Sequence, residues 1–325
     1  MKLTIAICTR GRPDKLRTCL AHLAATDFTH VGEVLVIDQS AEPASDLPAF
    51  AQLRYVHRPD SGLSRARNQA IRMATGDVIA CTDDDCYATP DWASQIVAAL
   101  AAHPGAAGIY GRVLPFVRPG EDVTLHHYQT AFGYIPFATR PDGSNCSALM
   151  DSPHIRLYRT PVMPYEHLGS GNNMAFPRTT FARHGLFIEE LGAGGRFESA
   201  EDVEFHYRLM RAGCPLLYHP GPLIHHDGWM SAQRNADLQD VYTIGSVTVW
   251  LGYALRGPGE VVPREYMHHR FGTIRSEAST SLAQPTTRKP RSYYLNRAVA
   301  LARGIRGALW LSRNLDRAIP LLAAS

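Results

Sequence analysis

Gly76-Asp77-Val78-Ile79-Ala80-Cys81-Thr82-Asp83-Asp84-Asp85 decides how this chain folds. Val78 to Cys81 is a short apolar run with a glycine before it and carboxylates after it, the pattern of a strand buried on both faces. Three adjacent aspartates end it. Like charges this close raise one another's pKa or share a cation. Mg²⁺ or Mn²⁺ held by one or two carboxylates together with substrate phosphates is the usual solution. The plainer reading is an acidic start to the next helix, close to Thr89-Pro90-Asp91.

Working outward, the same alternation recurs. Leu3 to Ile7 reads as a strand running into the turn Thr9-Arg10-Gly11-Arg12-Pro13, and Leu16, Leu20 and Leu23 mark the next helix. Glu33 to Ile37 reads as a second buried strand ending at Asp38, and Leu53 to Val56 as a weaker third. Ser64 to Thr75 reads as a helix stopped by Gly76, and Pro90 to Ala102 as another. Strands alternating with helices imply an α/β fold with a mainly parallel sheet covered on both faces. Ligands of such sheets lie outside the carboxyl ends of the strands, here Thr9-Arg10, Asp38 and Asp83 to Asp85.

Beyond residue 114 the pattern loosens. Residues 115–165, rich in His, Tyr, Pro and Gly, read as an irregular excursion shaping a cleft. Residues 166–232 read as a second ordered block: the turn Gly169 to Asn173, strands at Met174–Phe176, Leu216–Tyr218 and Pro222–His226, and a helix from about Asp202 to Ala212. Glu198, Glu201, Asp202 and Glu204 suit that helix's N-terminus electrostatically. Gly192 to Gly195 reads either as a mobile loop or as a plain glycine turn. Trp229 either packs the core or offers its ring face to a ligand. Residues 233–325 form a mostly helical extension, with a polar linker at Ser276–Pro290 and a final helix over about Asn296–Ile319. That helix sets Leu301, Ile305, Leu309, Leu315 and Ile319 on one side and Arg303, Arg306, Arg313 and Arg317 on the other. Such a face either docks on the preceding domain or lies on an anionic membrane.

The chain has 325 residues, 45% hydrophobic and 19% charged, with a net charge of only +3. That excludes wholesale disorder and a surface built to coat nucleic acid. Six cysteines lack zinc-ligand spacing and read as reduced thiols. No leader-like start and no run of the ~20 apolar residues that span a bilayer is present. A cytoplasmic protein is expected, free or peripheral on a membrane's cytoplasmic face.

Six ordered segments give a specific resemblance: TIAICTRGR at 4–12, VLVIDQS at 34–40, SGLSRARNQAI at 61–71, GDVIACTDDD at 76–85, and later SGNNMAF with AEDVEFHYRLMRAG. They resemble glycosyltransferase family 2 enzymes over roughly residues 3–230. The resemblance implies the GT-A fold, with residues 1–232 catalytic, a nucleotide-sugar donor with a divalent cation (Mn²⁺ or Mg²⁺), and a glycan or lipid-linked acceptor. It implies that Thr9, Arg10 and Arg12 lie by the nucleotide and that Asp38 accepts from the base, uracil by default. Arg65, Asp83 and Asp84 then face the donor, Asp83 and Asp85 the metal, with His225 or His226 completing its shell. Asp202, beside Glu201, becomes the base of an inverting transfer. Asp38-Gln39-Ser40 departs from the acidic or small pair common after the second strand, which leaves the ribose contacts open. The arginines of the Ser64–Arg72 helix offer forked donors that suit phosphate oxygens; the alternative for Arg65, Arg67 and Arg72 is a solvated helix face, the preferred reading for Arg72.

Two alternatives have their own signatures. A sugar-phosphate nucleotidyltransferase wants a glycine-rich loop with a lysine after the first strand, and residues 9–13 lack the lysine. A non-catalytic binding module of the same fold would have no need of the intact acidic clusters.

Overall fold

The computed structural model describes residues 1–130, 133–147, 151–161, 168–283 and 291–322. Its core is a mixed sheet in the order β10-β12-β6-β11-β4-β1-β2-β3, with β5 on the flank of β12. The N-terminal half is the regular part. β1 (Leu3–Thr9), β2 (Val31–Asp38), β3 (Leu53–His57) and β4 (Val78–Asp83) run parallel, with β1 between β2 and β4. α1 (Pro13–Ala24), α2 (Leu63–Met73) and α3 (Trp92–Ala102) cover it. β1 and β4 carry buried residues on both faces because helices lie on both sides. Each fully buried Leu, Ile or Val contributes roughly 1.5–3 kcal/mol.

The register puts Cys8 beside Asp83 on one side and Ile37 on the other, and Thr9 beside Asp38. The three carboxyl ends therefore open at one edge of the sheet. The second half enters antiparallel: β11 (Asn173–Pro177) pairs with β4 and with β6 (Gly108–Pro115). β12 (Leu216–His226) runs parallel to β6 and takes in the two strands expected at 216–218 and 222–226, with a register break between His219 and Leu223. β5 (Cys86–Ala88) and β10 (Arg156–Tyr158) add antiparallel edges to it.

Residues 115–165 are more regular than expected. Among the described residues they form a three-stranded antiparallel sheet, β7 (Thr124–Thr130), β8 (Gly133–Thr139) and β9 (Asn145–Ser147), and then β10. Prolines, glycines and histidines mask the period-two alternation there, and only the cross-strand pairing reveals it. The polar linker expected at Ser276–Pro290 is also corrected: α7 (Val261–Ala283) continues through its first half, and residues 284–290 lie outside the described residues. Ser and Thr are weak helix formers, but tertiary context overrides propensity.

α4 (Arg178–His184) and α5 (Glu201–Arg211) precede the C-terminal helices α6 (Ala232–Ala254), α7 and α8 (Arg291–Ala318). The face that α8 docks only partly matches the one its leucines announce: Leu315 is buried and Leu301 and Ile319 pack against the same core. Ala300, Gly304, Gly307, Ala308, Leu311 and Leu315 are buried, while Ile305 and Leu309 are 37% and 45% exposed. A Cβ on Gly304 would crowd Val247, and one on Gly307 would overlap Thr248, so small residues let α8 approach α6 closely. Hydrophobic periodicity weights leucine and isoleucine and misses the glycine and alanine positions that complete the seam.

Candidate active site

The three aspartates diverge. Asp83, the last residue of β4, lies 3.2 Å from Arg67. Asp84 is fully buried and accepts from Thr9 Oγ1 (2.6 Å) and Arg12 Nε (3.1 Å). Burial pushes its carboxyl up to about 7, although Arg12 pulls the other way. Asp85 accepts from Arg12 Nη1 at 2.7 Å, and its other oxygen is 3.7 Å from His226 Nε2. Arg12 thus clamps the two inner carboxylates, and Thr9 is committed to Asp84.

The strand register separates the two histidines. In the β5–β12 pair, His226 stands opposite Cys86 and His225 opposite Tyr87. Successive residues of a strand point to opposite faces, so only one of them can join Asp85, and it is His226. Next to it Asp227 is buried: its N–H donates to the Asp85 carbonyl (2.7 Å), and its carboxylate accepts from Lys15 Nζ (2.6 Å) and Tyr87 Oη (2.9 Å). Nothing in the sequence flags Lys15, a lysine in the first turn of α1.

The second centre lies at the start of α5. Arg67, 2% exposed, donates from Nη1 to Glu201 Oε1 (2.6 Å) and from Nη2 to Asp83 Oδ1 (3.2 Å) and the Gly171 carbonyl (3.0 Å). Asp202 accepts from the Gly171 N–H at 2.8 Å and from the Val203 N–H at 2.8 Å. Burial and the Asp202 charge push Glu201 up to about 7 against the pull of Arg67. One buried guanidinium therefore joins Asp83, at the end of β4, to Glu201, at the start of α5. Of the two readings open for Arg67, the solvated face is ruled out by its burial. A signal existed: Arg67 is three residues after buried Ser64 and four before buried Ile71, on the inner side of α2.

Arg65, by contrast, is half exposed, 3.5 Å from Asp60 and 3.6 Å from Glu189. Arg10, also exposed, donates to Ser61 Oγ (3.0 Å). Asp38 is fully buried and already accepts from Ser40 N–H and Oγ, Tyr55 Oη and the Ala44 N–H. Burial opposes its ionisation, but those donors hold it below the usual carboxylate range. Its visible work is to shape the loop after β2.

The Gly192–Gly195 segment is a docked turn. Ser64 Oγ donates to the Leu191 carbonyl (2.8 Å), Leu63 N–H to Ala193 (2.8 Å) and Ser61 Oγ to Gly194 (3.1 Å). Gly192 and Gly194 sit at φ 84° and 76°, which glycine adopts without strain. Trp229 packs: its Nε1 donates to the Phe116 carbonyl (2.9 Å), and Arg140 lies 3.7 Å over its ring. All six cysteines are free thiols.

Among the described residues, Asp85, Cys86 and His226 form a group whose donor atoms all lie within 4.8 Å of one another. A carboxylate with an imidazole suits a divalent cation such as Mn²⁺. Burial raises the Cys86 thiol well above its ordinary value, so it stays protonated and adds little. The residues fit such an ion, which would compete with Arg12 for Asp85.

Residues 4–163 match the family model described as Glycosyl transferase family 2. The chain is 33% identical over 124 residues to the succinoglycan biosynthesis protein ExoM of Rhizobium meliloti, covering 35% of this chain and 39% of that protein. It is 26% identical over 249 residues to chondroitin synthase of Escherichia coli, covering 69% of this chain and 34% of that protein. The chain thus spans little more than a third of the length of these relatives. Two solved structures share the fold at 16% identity. A mannosyltransferase from Pyrobaculum calidifontis, in complex with GDP-Man and Mn²⁺, gives a TM-score of 0.56 over 96% of this chain and 87% of its own. S. aureus TarS 1–349, in complex with UDP-GlcNAc, gives 0.53 over 95% and 82%.

Proposed function

We propose that this chain, whose residues 4–163 match the family 2 glycosyltransferase model and whose fold is shared with glycosyltransferase structures, transfers a sugar from a nucleotide-sugar donor, UDP-linked by default, to a hydroxyl acceptor with inversion at the anomeric carbon. The observation that carries this reading is Arg67, which bridges Asp83 at the end of the aspartate-bearing strand and Glu201, the neighbour of Asp202. The donor's diphosphate lies at the strand ends beside Asp83, Asp85 and Arg12, with Arg10 and Arg65 exposed at the rim. Asp85 and His226 would hold a divalent cation. Bound there, it would neutralise charge developing on the departing diphosphate. Asp202 takes the acceptor hydroxyl's proton as that oxygen bonds to the anomeric carbon and the bond to the diphosphate breaks. Glu201, paired with Arg67, holds the first turn of α5 in line with that attack.

Residues 1–232 form the catalytic part in this reading, and the acceptor is a growing glycan or a lipid-linked one. No described helix is long and apolar enough to cross a membrane. The outer face of α8 exposes Leu295, Val299, Ile305 and Leu309 together with Arg306 and Arg313. That combination supports peripheral docking on an anionic bilayer, where a lipid-linked acceptor would be presented.

The test is thermal stabilisation of the full chain by a panel of UDP-, GDP- and other nucleotide-sugars, each with Mn²⁺, Mg²⁺ or chelator. One donor should raise the midpoint only with the metal present, and turnover with an acceptor should invert the anomeric configuration. Stabilisation indifferent to chelator, or a retained anomer, overturns the reading. Pyrophosphate release from a sugar phosphate and a nucleoside triphosphate would identify a nucleotidyltransferase instead.

A further inference from the structure

The approach to Glu201 and Asp202 has an unusual backbone. Glu198 has φ 65° and Ala200 φ 71°, values that favour glycine. Glu198 is the centre of a three-residue turn closed by Ser199 N–H to the Phe197 carbonyl (2.8 Å), with the sign of φ that makes such turns rare. Ala200 is the N-cap of α5, yet it is left-handed and gives no side-chain cap, where an extended Ser, Thr, Asp or Asn is usual. Strained backbone of this kind persists only where its surroundings over-determine it.

Those surroundings come from the C-terminal helices. From α6, the Val241 carbonyl accepts from Ser199 Oγ (2.9 Å), and Gly245 lies so close that a Cβ there would overlap both Ser199 Oγ and its backbone. From α8, Arg303 Nη2 donates to Glu198 Oε1 (2.6 Å), and Trp310 packs on Phe197 with ring centres 5.5 Å apart. The body of α5 is tied the same way. Tyr253 Oη donates to Glu204 (2.7 Å), and Tyr207 Oη donates to Glu260, just ahead of α7 (2.6 Å).

We propose that α6 and α8 are a brace for the catalytic helix. They hold the 197–200 turn in its strained form, and this sets where Glu201 meets Arg67 and where Asp202 stands. Ser199, Gly245 and Arg303 are positioning residues. The proposal rests on Asp202 being the base.

The test compares steady-state kinetics and thermal midpoints of Gly245→Ala, Ser199→Ala, Arg303→Gln and Arg303→Lys in the full chain. Gly252→Ala is the control: it crowds Leu311 in the same α6–α8 seam, away from the turn. Gly245→Ala should lower kcat by about 10–100-fold, the scale of a small misplacement at a reacting centre, and leave the donor KM within about twofold. Ser199→Ala and Arg303→Gln should lower kcat less, and Arg303→Lys should recover part of it. If Gly245→Ala does not fold, Ser199→Ala and Arg303→Gln decide. Wild-type kcat in the folded variants overturns the brace, as does an equal loss of kcat in Gly252→Ala at a matched midpoint. An active Asp202→Asn removes the base assignment and leaves the Gly245–Gly252 comparison standing as a separate result.

Discussion

Arg67 and Glu201 form a buried ion pair, Nη1 to Oε1 at 2.6 Å, between residues 134 positions apart. Removing one partner of such a pair leaves a charge buried without compensation. Arg67→Met is therefore expected to destabilise the protein by roughly 3–5 kcal/mol, measured by urea unfolding. Arg67→Lys should recover only part of this, because an ammonium cannot serve Glu201, Asp83 and Gly171 with the fork of a guanidinium. A loss below about 1 kcal/mol, as for a surface pair, would remove Arg67 from the centre of the site.

Glu201 gives a pH dependence of known sign. Burial and Asp202 raise its folded value to about 7 from an ordinary 4.5. The native state then binds the proton that the unfolded state releases. The stability from this group is complete below the unfolded value and is lost as pH rises through about 7. The urea midpoint should carry this loss between about pH 5 and about pH 8, and Glu201→Gln should flatten that part of the profile. Parallel profiles for the two proteins would contradict the assignment.

Asp85 and Asp202 are expected to fail differently. Asp85→Ala should abolish transfer together with metal-dependent donor binding. Asp202→Asn, nearly isosteric, should lower kcat by at least about 10²-fold while donor binding persists, because the base acts only on the acceptor. Calorimetric titration of the donor with Mn²⁺ separates the two. Asp202→Asn with wild-type turnover would refute the inverting scheme as drawn.

The outer face of α8 predicts a charge effect. Arg306→Glu with Arg313→Glu should weaken sedimentation with vesicles containing anionic phosphatidylglycerol by about tenfold or more, at roughly 1 kcal/mol per basic residue. Binding to neutral phosphatidylcholine vesicles and turnover of a soluble acceptor should not change. Equal sedimentation of variant and wild type with anionic vesicles would rule out electrostatic docking through this helix.

The strands read at 3–7, 33–37 and 78–81 and the helices between them were legible in the amino-acid sequence alone, because burial on both faces writes a local apolar run; the third, read at 53–56, is partly exposed and its run is weaker. So was the edge of the sheet proposed to hold the donor, because Asp38 and Asp83 to Asp85 directly follow such runs. The family segments were legible for the same reason: each is short and contiguous. What only the tertiary structure decided is which polar groups meet. His226 rather than His225 reaches Asp85 because the β5–β12 register orients it. Arg67 rather than Arg65 joins the two acidic clusters because sheet order brings β4 and the start of α5 to one helix face. α8 docks through Gly304, Gly307 and Ala308 because close approach of two helices rewards the absence of side chains, which hydrophobic periodicity does not register. Local patterns specify elements, whereas contacts across more than a hundred residues depend on register and sheet order, and these exist only once the chain has folded.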